Sequence, residues 1–325
     1  MKIAVLDDYQ DALRGLACYA RLAGHEVRVY RDTLKEPAAL AARIGDADAV
    51  VLTQQRSAFP RALIEALPQL KLVSLTGRNA RHVDVEACTH RGIAVSVARG
   101  VGNPSAPAEL AWALILSSLR NIPAEVQRLK EGRWQGSVGV GLKGKTLGIY
   151  AYGRIGSMVA RVGEAFGMRV VCWGREGSTQ RAREAGFEVA ADRRTFFESA
   201  DVVSLHLPMK PETRGIVTAE DLAHMKSTAL LVNVSRARLI AEGVLAAALK
   251  QGRPGRAAVD VYEDEPVLDA NHPLVVMDNV TCTPHLGYVE QSTYEAYYGA
   301  AVDNIVAYAA GAPTNVINPE VLARD

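Results

Sequence analysis

The sequence contains little cysteine and lacks a long hydrophobic run. The cysteines in its 325 residues are Cys18, Cys88, Cys172 and Cys282. Such wide spacing is typical of free thiols in a reducing cytoplasm. The longest apolar stretch, residues 110–116, is too short to span a bilayer, and the N-terminus lacks the apolar segment of a signal peptide. We therefore expect a cytoplasmic protein with no membrane partner.

Blocks of like charge are also missing, and the two signs nearly cancel. Lys and Arg total 37, Asp and Glu total 36, and the formal net charge is +1. This balance gives no indication of a nucleic-acid partner. Apolar residues make up 49% and charged residues 22%, as in folded globular proteins, and the length suits two domains that each bury a core.

Short runs rich in Val, Ile and Leu alternate with stretches of helical character in two series. The predicted strands are residues 2–6, 26–30, 49–53, 71–75 and 93–97, then 146–150, 169–173, 202–205, 229–233 and 257–261. This alternation predicts an α/β fold with two doubly wound parallel-sheet domains. A buried helix is expected over 110–119, after a turn at 102–107. A last helix over about 290–310 is expected to pack back on the first domain, making that domain discontinuous.

A glycine-containing loop follows the predicted strand 146–150. Gly153 and Gly156, with Arg154 and Ile155 between them, match the second and third glycines of a dinucleotide-binding fingerprint. The helix that begins there would offer free N–H groups to a pyrophosphate. Ala151 stands where the first glycine is expected, so the backbone at that turn must accommodate a Cβ atom. An ordinary βα turn without a ligand is the alternative.

The next strand, 169–173, ends without the carboxylate that would bind the ribose 2′-hydroxyl of NAD. Gly174 and Arg175 occupy this place, and a glycine beside a cation suits a 2′-phosphate. The cofactor is therefore expected to be NAD or NADP, with NADP favoured slightly. In the alternative interpretation, Arg175 is a solvated residue that stacks on adenine.

Three later segments place an arginine, carboxylates and a histidine after predicted strands, at 233–236, 260–265 and 283–285. Reduction of a keto acid needs these groups. An arginine binds the substrate carboxylate, a histidine donates a proton, and a carboxylate orients the imidazole. Alternatively, Arg236 caps a helix or pairs at the surface, and residues 263–265 form a solvated acidic turn. Residues 282–285 resemble half of a zinc site, but a second Cys/His pair is missing, so no metal is expected.

In this order the segments resemble those of the D-isomer-specific 2-hydroxyacid dehydrogenase family over nearly the whole chain. The matching segments are 77–84, 108–109, 153–156, 204–208, 211–213, 233–236, 260–266 and 283–285. The resemblance implies the catalytic residues Arg236, Glu265 and His285 and the substrate-binding residues Arg78 and Asn79. It also implies cofactor contacts by His206, Pro208, Thr213, Val234, Asp260 and Gly287. Departures from the family pattern are Ala237, where glycine is usual, the added cation Arg238, and Arg78, which favours a substrate with a second anionic group.

The resemblance implies a Rossmann cofactor domain inserted in a flavodoxin-like substrate domain. Residues 1–100 and 287–325 would form the substrate domain and residues 101–286 the NAD(P)-binding domain. The protein would be a homodimer built mainly from the cofactor domains, including helix 110–119, and would convert a small 2-keto acid into a D-2-hydroxy acid. Two alternatives share the fold. One is a formate dehydrogenase, an enzyme whose similar motif has glutamine in place of Glu265. The other is a corepressor of the C-terminal-binding-protein type, which is a nucleotide-sensing scaffold.

Overall fold

The computed structural model describes residues 1–323, which form two compact units. One unit comprises Met1–Asn103 and the chain from Glu290 onward, and the other comprises Pro104–Val289. Each unit contains one parallel β-sheet with helices on its faces. The two-domain α/β architecture expected from the alternation of strands and helices is therefore confirmed.

The strands are β1 (Lys2–Leu6), β2 (Glu26–Val29), β3 (Ala49–Leu52), β4 (Leu72–Leu75), β5 (Ala94–Ser96), β6 (Thr146–Tyr150), β7 (Arg169–Trp173), β8 (Glu188–Val189), β9 (Val202–Leu205), β10 (Leu230–Asn233), β11 (Arg256–Val259) and β12 (Val280–Cys282). The helices are α1 (Pro37–Ile44), α2 (Arg61–Glu65), α3 (Val85–His90), α4 (Ser105–Leu119), α5 (Ile122–Lys130), α6 (Arg154–Ala165), α7 (Glu176–Glu184), α8 (Arg193–Ser199), α9 (Ala219–His224), α10 (Val244–Lys250) and α11 (Gln291–Ala309). Short 3₁₀ turns cover Leu13–Gly15, Ala17–Leu22, Pro211–Thr213, Ala237–Leu239 and Pro319–Ala323.

The first sheet has the strand order β2-β1-β3-β4-β5, and all its pairings are parallel. This is the flavodoxin-like order. The last helix, α11, packs on this sheet through buried polar contacts. The Tyr298 hydroxyl lies 2.9 Å from Thr53 Oγ1, and Ser74 Oγ donates to the Ala301 carbonyl at 2.9 Å. The C-terminal helix therefore completes the unit that the N-terminal strands begin.

The second sheet has the order β12-β11-β10-β9-β6-β7-β8, again all parallel. It contains the Rossmann order with one additional strand, and the strand order reverses at β6, next to β9. Alternate residues of each strand face opposite layers, so that Leu147 and Ile149 pack with α4 and α6 while Tyr150 packs toward α8. Ligands of such sheets bind beyond the carboxyl ends of the strands at the reversal.

Several sequence-based boundaries differ from the structure. Strands β8 and β12 have two and three residues, too few for a periodic pattern, and they were missed. The crossover between β1 and β2 consists of 3₁₀ turns rather than an α-helix. The turn predicted at 102–107 overlaps α4, which begins at Ser105. Pro107 fits there because N–H groups in the first helical turn have no intrahelical acceptor.

Candidate active site

The register of the second sheet brings the three predicted catalytic segments to one edge. Asn233 pairs with Val259, and Val259 pairs with Cys282, so β10, β11 and β12 end at the same level. Arg236 and His285 each follow three residues after these aligned ends, and Glu265 follows six residues after its own. Parallel strands that end together deliver their following loops to the same side of the sheet.

His285 and Glu265 form a close ion pair at this edge of the sheet. The distance from His285 Nδ1 to Glu265 Oε2 is 2.6 Å, and the two side chains are 20% and 16% exposed. Within residues 1–323, no protein group hydrogen-bonds to His285 Nε2. The imidazole is therefore held through one nitrogen, and the other remains available for proton transfer.

The neighbouring residues fix both members of this pair. The Tyr262 backbone N–H donates to Glu265 Oε1 at 2.9 Å, and the Tyr262 hydroxyl donates to the Thr283 carbonyl at 2.9 Å. His285 has a left-handed backbone conformation, with φ +52°, and its ring meets Tyr288 edge to face at 5.4 Å. Tyr262 had no role predicted from the sequence.

The loop that carries Arg236 is organised by the buried side chain of Asn233. Asn233 Oδ1 accepts from the Ser235 N–H, and its Nδ2 donates to the Arg236 carbonyl, both at 3.0 Å. Ser235 Oγ donates to the Leu205 carbonyl at 2.7 Å and ties the loop to β9. The exposed Arg236 side chain projects from this fixed loop. An asparagine at a strand end is a recognisable turn signal that the sequence analysis left without a role.

Asp260 lies directly after β11 and is fully buried. Its carboxylate accepts from Thr283 Oγ1 at 2.6 Å and from the backbone N–H groups of Leu286 and Gly287 at 2.7 and 2.9 Å. Burial raises the pKa of this carboxyl, against the effect of these donors. Asp260 therefore organises the segment on both sides of His285.

The glycine-containing loop joins β6 to α6. Ala151 adopts φ +78°, the left-handed conformation that glycine usually supplies at this turn. A Cβ atom at Gly156 would lie 2.5 Å from the Ala151 carbonyl oxygen, so a larger residue cannot replace this glycine without a shift of the backbone. At Gly153, no described atom lies within 4 Å of the corresponding point. The loop thus has open space before the N–H groups of a helix N-terminus, which fits a pyrophosphate.

Gly174 and Arg175 lie at the neighbouring turn, between β7 and α7. Arg175 is exposed and immediately precedes α7. The Tyr152 N–H donates to Ser178 Oγ at 2.7 Å, and Arg181 Nη2 donates to the Tyr152 carbonyl at 3.2 Å. Helix α7 therefore contacts the glycine-containing loop directly.

His206, Pro208 and Thr213 follow β9. His206 is buried, with Nε2 2.9 Å from Ser204 Oγ, and its Nδ1 has no partner within residues 1–323. Burial lowers the pKa of His206 to about 4. Thr213 Oγ1 donates to the Pro208 carbonyl at 2.7 Å, which closes the loop. Val234 is buried after β10. All four residues of this paragraph that were predicted to contact the cofactor lie beyond the carboxyl ends of the second sheet: His206, Pro208, Thr213 and Val234.

Arg78 and Asn79 lie in the other unit, after β4. Asn79 Oδ1 accepts from the Arg81 N–H at 3.0 Å, and the exposed Arg78 side chain makes no described ion pair. Gln54 N donates to Thr76 Oγ1 at 2.9 Å and supports the beginning of this loop. These contacts give the loop a defined backbone from which Arg78 projects.

Residues 1–323 contain neither a membrane-spanning helix nor a metal-binding cluster. The described chain contains no helix both long and apolar enough to cross a membrane. Among the same residues, no group of three or more His, Cys, Asp and Glu side chains gathers in an arrangement that could hold a metal ion.

Comparisons with known proteins place the site in a wider context. The family described as D-isomer specific 2-hydroxyacid dehydrogenase, NAD binding domain, matches residues 112–287. The chain is 38% identical over 270 residues to a glyoxylate reductase of Aeropyrum pernix, covering 80% of each protein. It resembles the crystal structure of an oxidoreductase from Ralstonia solanacearum, with a TM-score of 0.94, 49% identity and coverage of 99% of this chain and 98% of the other. For a phosphoglycerate oxidoreductase from Vibrio cholerae the values are 0.91, 46%, 96% and 100%.

Proposed function

Because the chain belongs to the D-isomer specific 2-hydroxyacid dehydrogenase family, we propose that Arg236, Glu265 and His285 are its catalytic residues. The protein is an NAD-dependent oxidoreductase that reduces a 2-keto acid to a D-2-hydroxy acid. The contact between His285 Nδ1 and Glu265 Oε2 supports the assignment most strongly, since it leaves Nε2 available to the substrate.

The proposed mechanism divides the work among the three side chains. A nicotinamide cofactor, when bound, would supply the hydride that adds to the carbonyl carbon. Arg236 binds the substrate carboxylate with its planar guanidinium and polarises the carbonyl. His285 donates the proton from Nε2 to the carbonyl oxygen, while Glu265 holds Nδ1 and favours the charged imidazole. In the oxidation direction, neutral His285 accepts this proton.

A panel of 2-keto acids with NADH and with NADPH tests this function. We expect turnover of at least one 2-keto acid and a product of the D configuration, measured by cofactor absorbance and chiral chromatography. Formation of the L product, or lack of turnover across a panel of short, branched and dianionic 2-keto acids, would contradict the proposal.

The residues proposed to bind the cofactor surround the carboxyl ends of the second sheet. The pyrophosphate would be held at the N-terminus of α6, by Gly153, Arg154, Ile155 and Gly156. Asp260, Val234 and Gly287 would lie on the nicotinamide side. His206, Pro208 and Thr213 would border the loop after β9. Asp260 would then have two tasks, because it also holds the segment around His285.

The residues at the β7–α7 turn favour acceptance of NADP. Arg175 offers an exposed cation, and Gly174 has no side chain to obstruct a 2′-phosphate. We expect NADPH to bind at least as well as NADH in calorimetric titrations. Arg175→Ala should weaken NADPH binding selectively, and Arg183→Ala, an exposed arginine later in α7, is the matched control. A preference of about tenfold or more for NADH in the unchanged protein would contradict this expectation.

Arg78 and Asn79 are proposed to bind the substrate. The Arg78 side chain favours a substrate with a second anionic group. The relative from Vibrio cholerae is named a phosphoglycerate oxidoreductase, and phosphoglycerate carries a phosphate in addition to its carboxylate. We expect kcat/KM to be about tenfold or more higher for a dianionic 2-keto acid than for a neutral analogue of equal length. Arg78→Ala should remove this preference, whereas Arg91→Ala at the end of α3 should preserve it.

A homodimer is proposed on the basis of an exposed apolar surface in the second unit. Ile122, Val126 and Leu129 lie on one face of α5, and Trp134 and Val138 follow it, with exposures from 47% to 94%. The expectation that helix 110–119 also takes part stays a prediction, since Glu109 and Ala113 of α4 are exposed while Trp112 and Ile115 are buried within the unit. Light scattering should give twice the mass of one chain, and Val126→Asp should reduce it. A monomer at micromolar concentration would contradict the dimer.

A cytoplasmic location is also proposed. All four cysteines are free, and Cys18, Cys88 and Cys172 are buried, where burial raises each thiol pKa and protects the thiol from oxidation. Cell fractionation tests this proposal.

A further inference from the structure

We infer that His272 and Glu263 are positioning residues that hold the loop carrying Glu265 where it meets His285. This inference rests on the catalytic roles proposed above for Glu265 and His285. The two positioning residues form a second histidine–glutamate pair in the same unit, and the sequence analysis gave neither of them a function.

The contacts of His272 fix its protonation and exclude a role in proton transfer. The Leu274 N–H donates to His272 Nδ1 at 3.2 Å, so Nδ1 is unprotonated and the ring proton lies on Nε2. Nε2 donates this proton to Glu263 Oε2 at 3.0 Å, and the two side chains are 17% and 21% exposed. Both ring nitrogens are therefore occupied by the protein itself.

The His272 ring also contacts Tyr262, edge to face, with 5.0 Å between the ring centroids. Tyr262 links two of the catalytic segments. Its backbone N–H donates to Glu265 Oε1, and its hydroxyl donates to the carbonyl of Thr283, two residues before His285. A shift of the Tyr262 ring would therefore change the position of Glu265 relative to His285.

Glu263 makes the corresponding link to the third segment. Its backbone carbonyl accepts from Arg238 Nη2 at 3.2 Å, and Arg238 lies two residues after Arg236. One imidazole thus contacts the two residues that connect the Glu265 loop to the segments of Arg236 and His285. No other histidine in residues 1–323 has this combination of contacts.

His272 and Glu263 also border a cavity. The cavity has a volume of about 280 Å³, and its lining includes Glu263, Asp264, His272, Asn233 and Ala237. A loop next to a cavity lacks the close packing that fixes a core segment. The hydrogen bonds of His272 and Glu263 therefore take over the positioning that packed side chains would otherwise provide.

Two substitutions separate the hydrogen bonds of His272. His272→Gln places an amide N–H near the position of Nε2 and can still donate to Glu263, whereas His272→Asn can accept from Leu274 N–H but does not reach Glu263. We expect His272→Asn to lower kcat by about tenfold or more with a smaller change in KM, within the range that misplacement of a catalytic group produces. His272→Gln should restore most of kcat.

The pH profile distinguishes positioning from a loss of stability. When Glu265 moves away from His285, the imidazolium loses its negative partner, so reduction by His272→Asn should decline at a lower pH than in the unchanged protein. Glu263→Ala should have the same effect, and the double variant should lose no more than either single variant. If His272→Asn folds poorly, His272→Ala supplied with imidazole provides a second measurement, because the adjoining cavity can admit the free ring.

His224→Asn is the matched control, because His224 lies 3.6 Å from both Glu198 and Glu220 elsewhere in the same unit. It should leave kcat and the pH profile unchanged. Unchanged kcat and pH profile in His272→Asn and Glu263→Ala, alongside an inactive His285→Ala, would overturn the inference and leave the proposed function intact. An active His285→Ala would instead reject the catalytic role proposed for His285, on which this inference rests.

Discussion

Two histidine–glutamate pairs take their carboxylates from one loop, and they differ in the contacts of the second imidazole nitrogen. Glu265 meets His285 at 2.6 Å, and Glu263 meets His272 at 3.0 Å. His272 uses its other nitrogen to accept from Leu274 N–H. For His285, no partner of the other nitrogen lies within residues 1–323.

This difference teaches that a carboxylate beside a histidine does not by itself define a proton donor. Glu263 and Glu265 are two residues apart, so they contact different histidines from one short segment. A ring held at both nitrogens can only hold its neighbours in place. A ring held at one nitrogen can also exchange a proton with a substrate.

Loss of the His285 ring should lower kcat more than any other change considered below. His285→Ala should lower kcat by about a hundredfold or more in steady-state reduction assays, because a positioned acid–base group contributes at least that factor. His224→Ala is the matched control and should retain full turnover. Near-normal kcat in His285→Ala would mean that the proton comes from elsewhere, and the distinction between the two pairs would disappear.

Arg236 is expected to bind the substrate next to His285, the histidine whose Nε2 is available. Arg236→Lys should lower kcat/KM by about 10- to 100-fold, because an ammonium cannot form the bidentate hydrogen bonds of a planar guanidinium. Hydrogen bonds to charged groups contribute about 1.5–3 kcal/mol. Both KM and kcat should change in steady-state kinetics. An increase in KM alone would assign Arg236 to substrate binding without a part in the transition state.

Replacing the charge next to His285 should move the pH profile. Glu265→Gln keeps the shape of the side chain but removes the negative charge that favours imidazolium. Because the proposed mechanism uses protonated His285 for reduction, activity should decline at a lower pH in the variant, and the optimum for oxidation should move in the same direction. The measurement is kcat/KM against pH in both directions. An unchanged profile would show that Glu265 only orients the ring.

The smallest effect is expected for His206, a buried histidine whose ring contacts Ser204 instead of a carboxylate. Its replacement should change folding stability instead of turnover. Burial lowers the pKa of His206 to about 4 from an ordinary value near 6.5. The unfolded chain therefore binds the proton more strongly, and folding stability is lost as the pH falls from about 6.5 toward 4. Between about pH 7.5 and pH 5.5 the loss should be about 1 kcal/mol, measured by urea unfolding. His206→Gln should remove this part of the pH dependence, and equal slopes in both proteins would contradict it.

The sequence predicted the elements that depend on local patterns. Strands at 2–6, 146–150, 169–173 and 202–205 match the structure to the residue, since buried parallel strands have continuous Val, Ile and Leu runs. Strands β8 and β12 could not be found this way, because neither lies in a continuous run of Val, Ile and Leu. Register fixes where β12 ends, and hence the position of His285.

The sequence by itself determined the order of the strands along the chain, the glycine loop and the residues available at each strand end. Tertiary structure alone decided that Glu265 contacts His285 while Glu263 contacts His272. It also decided that Asn233, Tyr262 and Asp260 would hold the three proposed catalytic segments. The physical reason is that these contacts join residues from separate strand ends. Their geometry follows from sheet register and the hydrogen bonds between loops, which no local pattern of residues specifies.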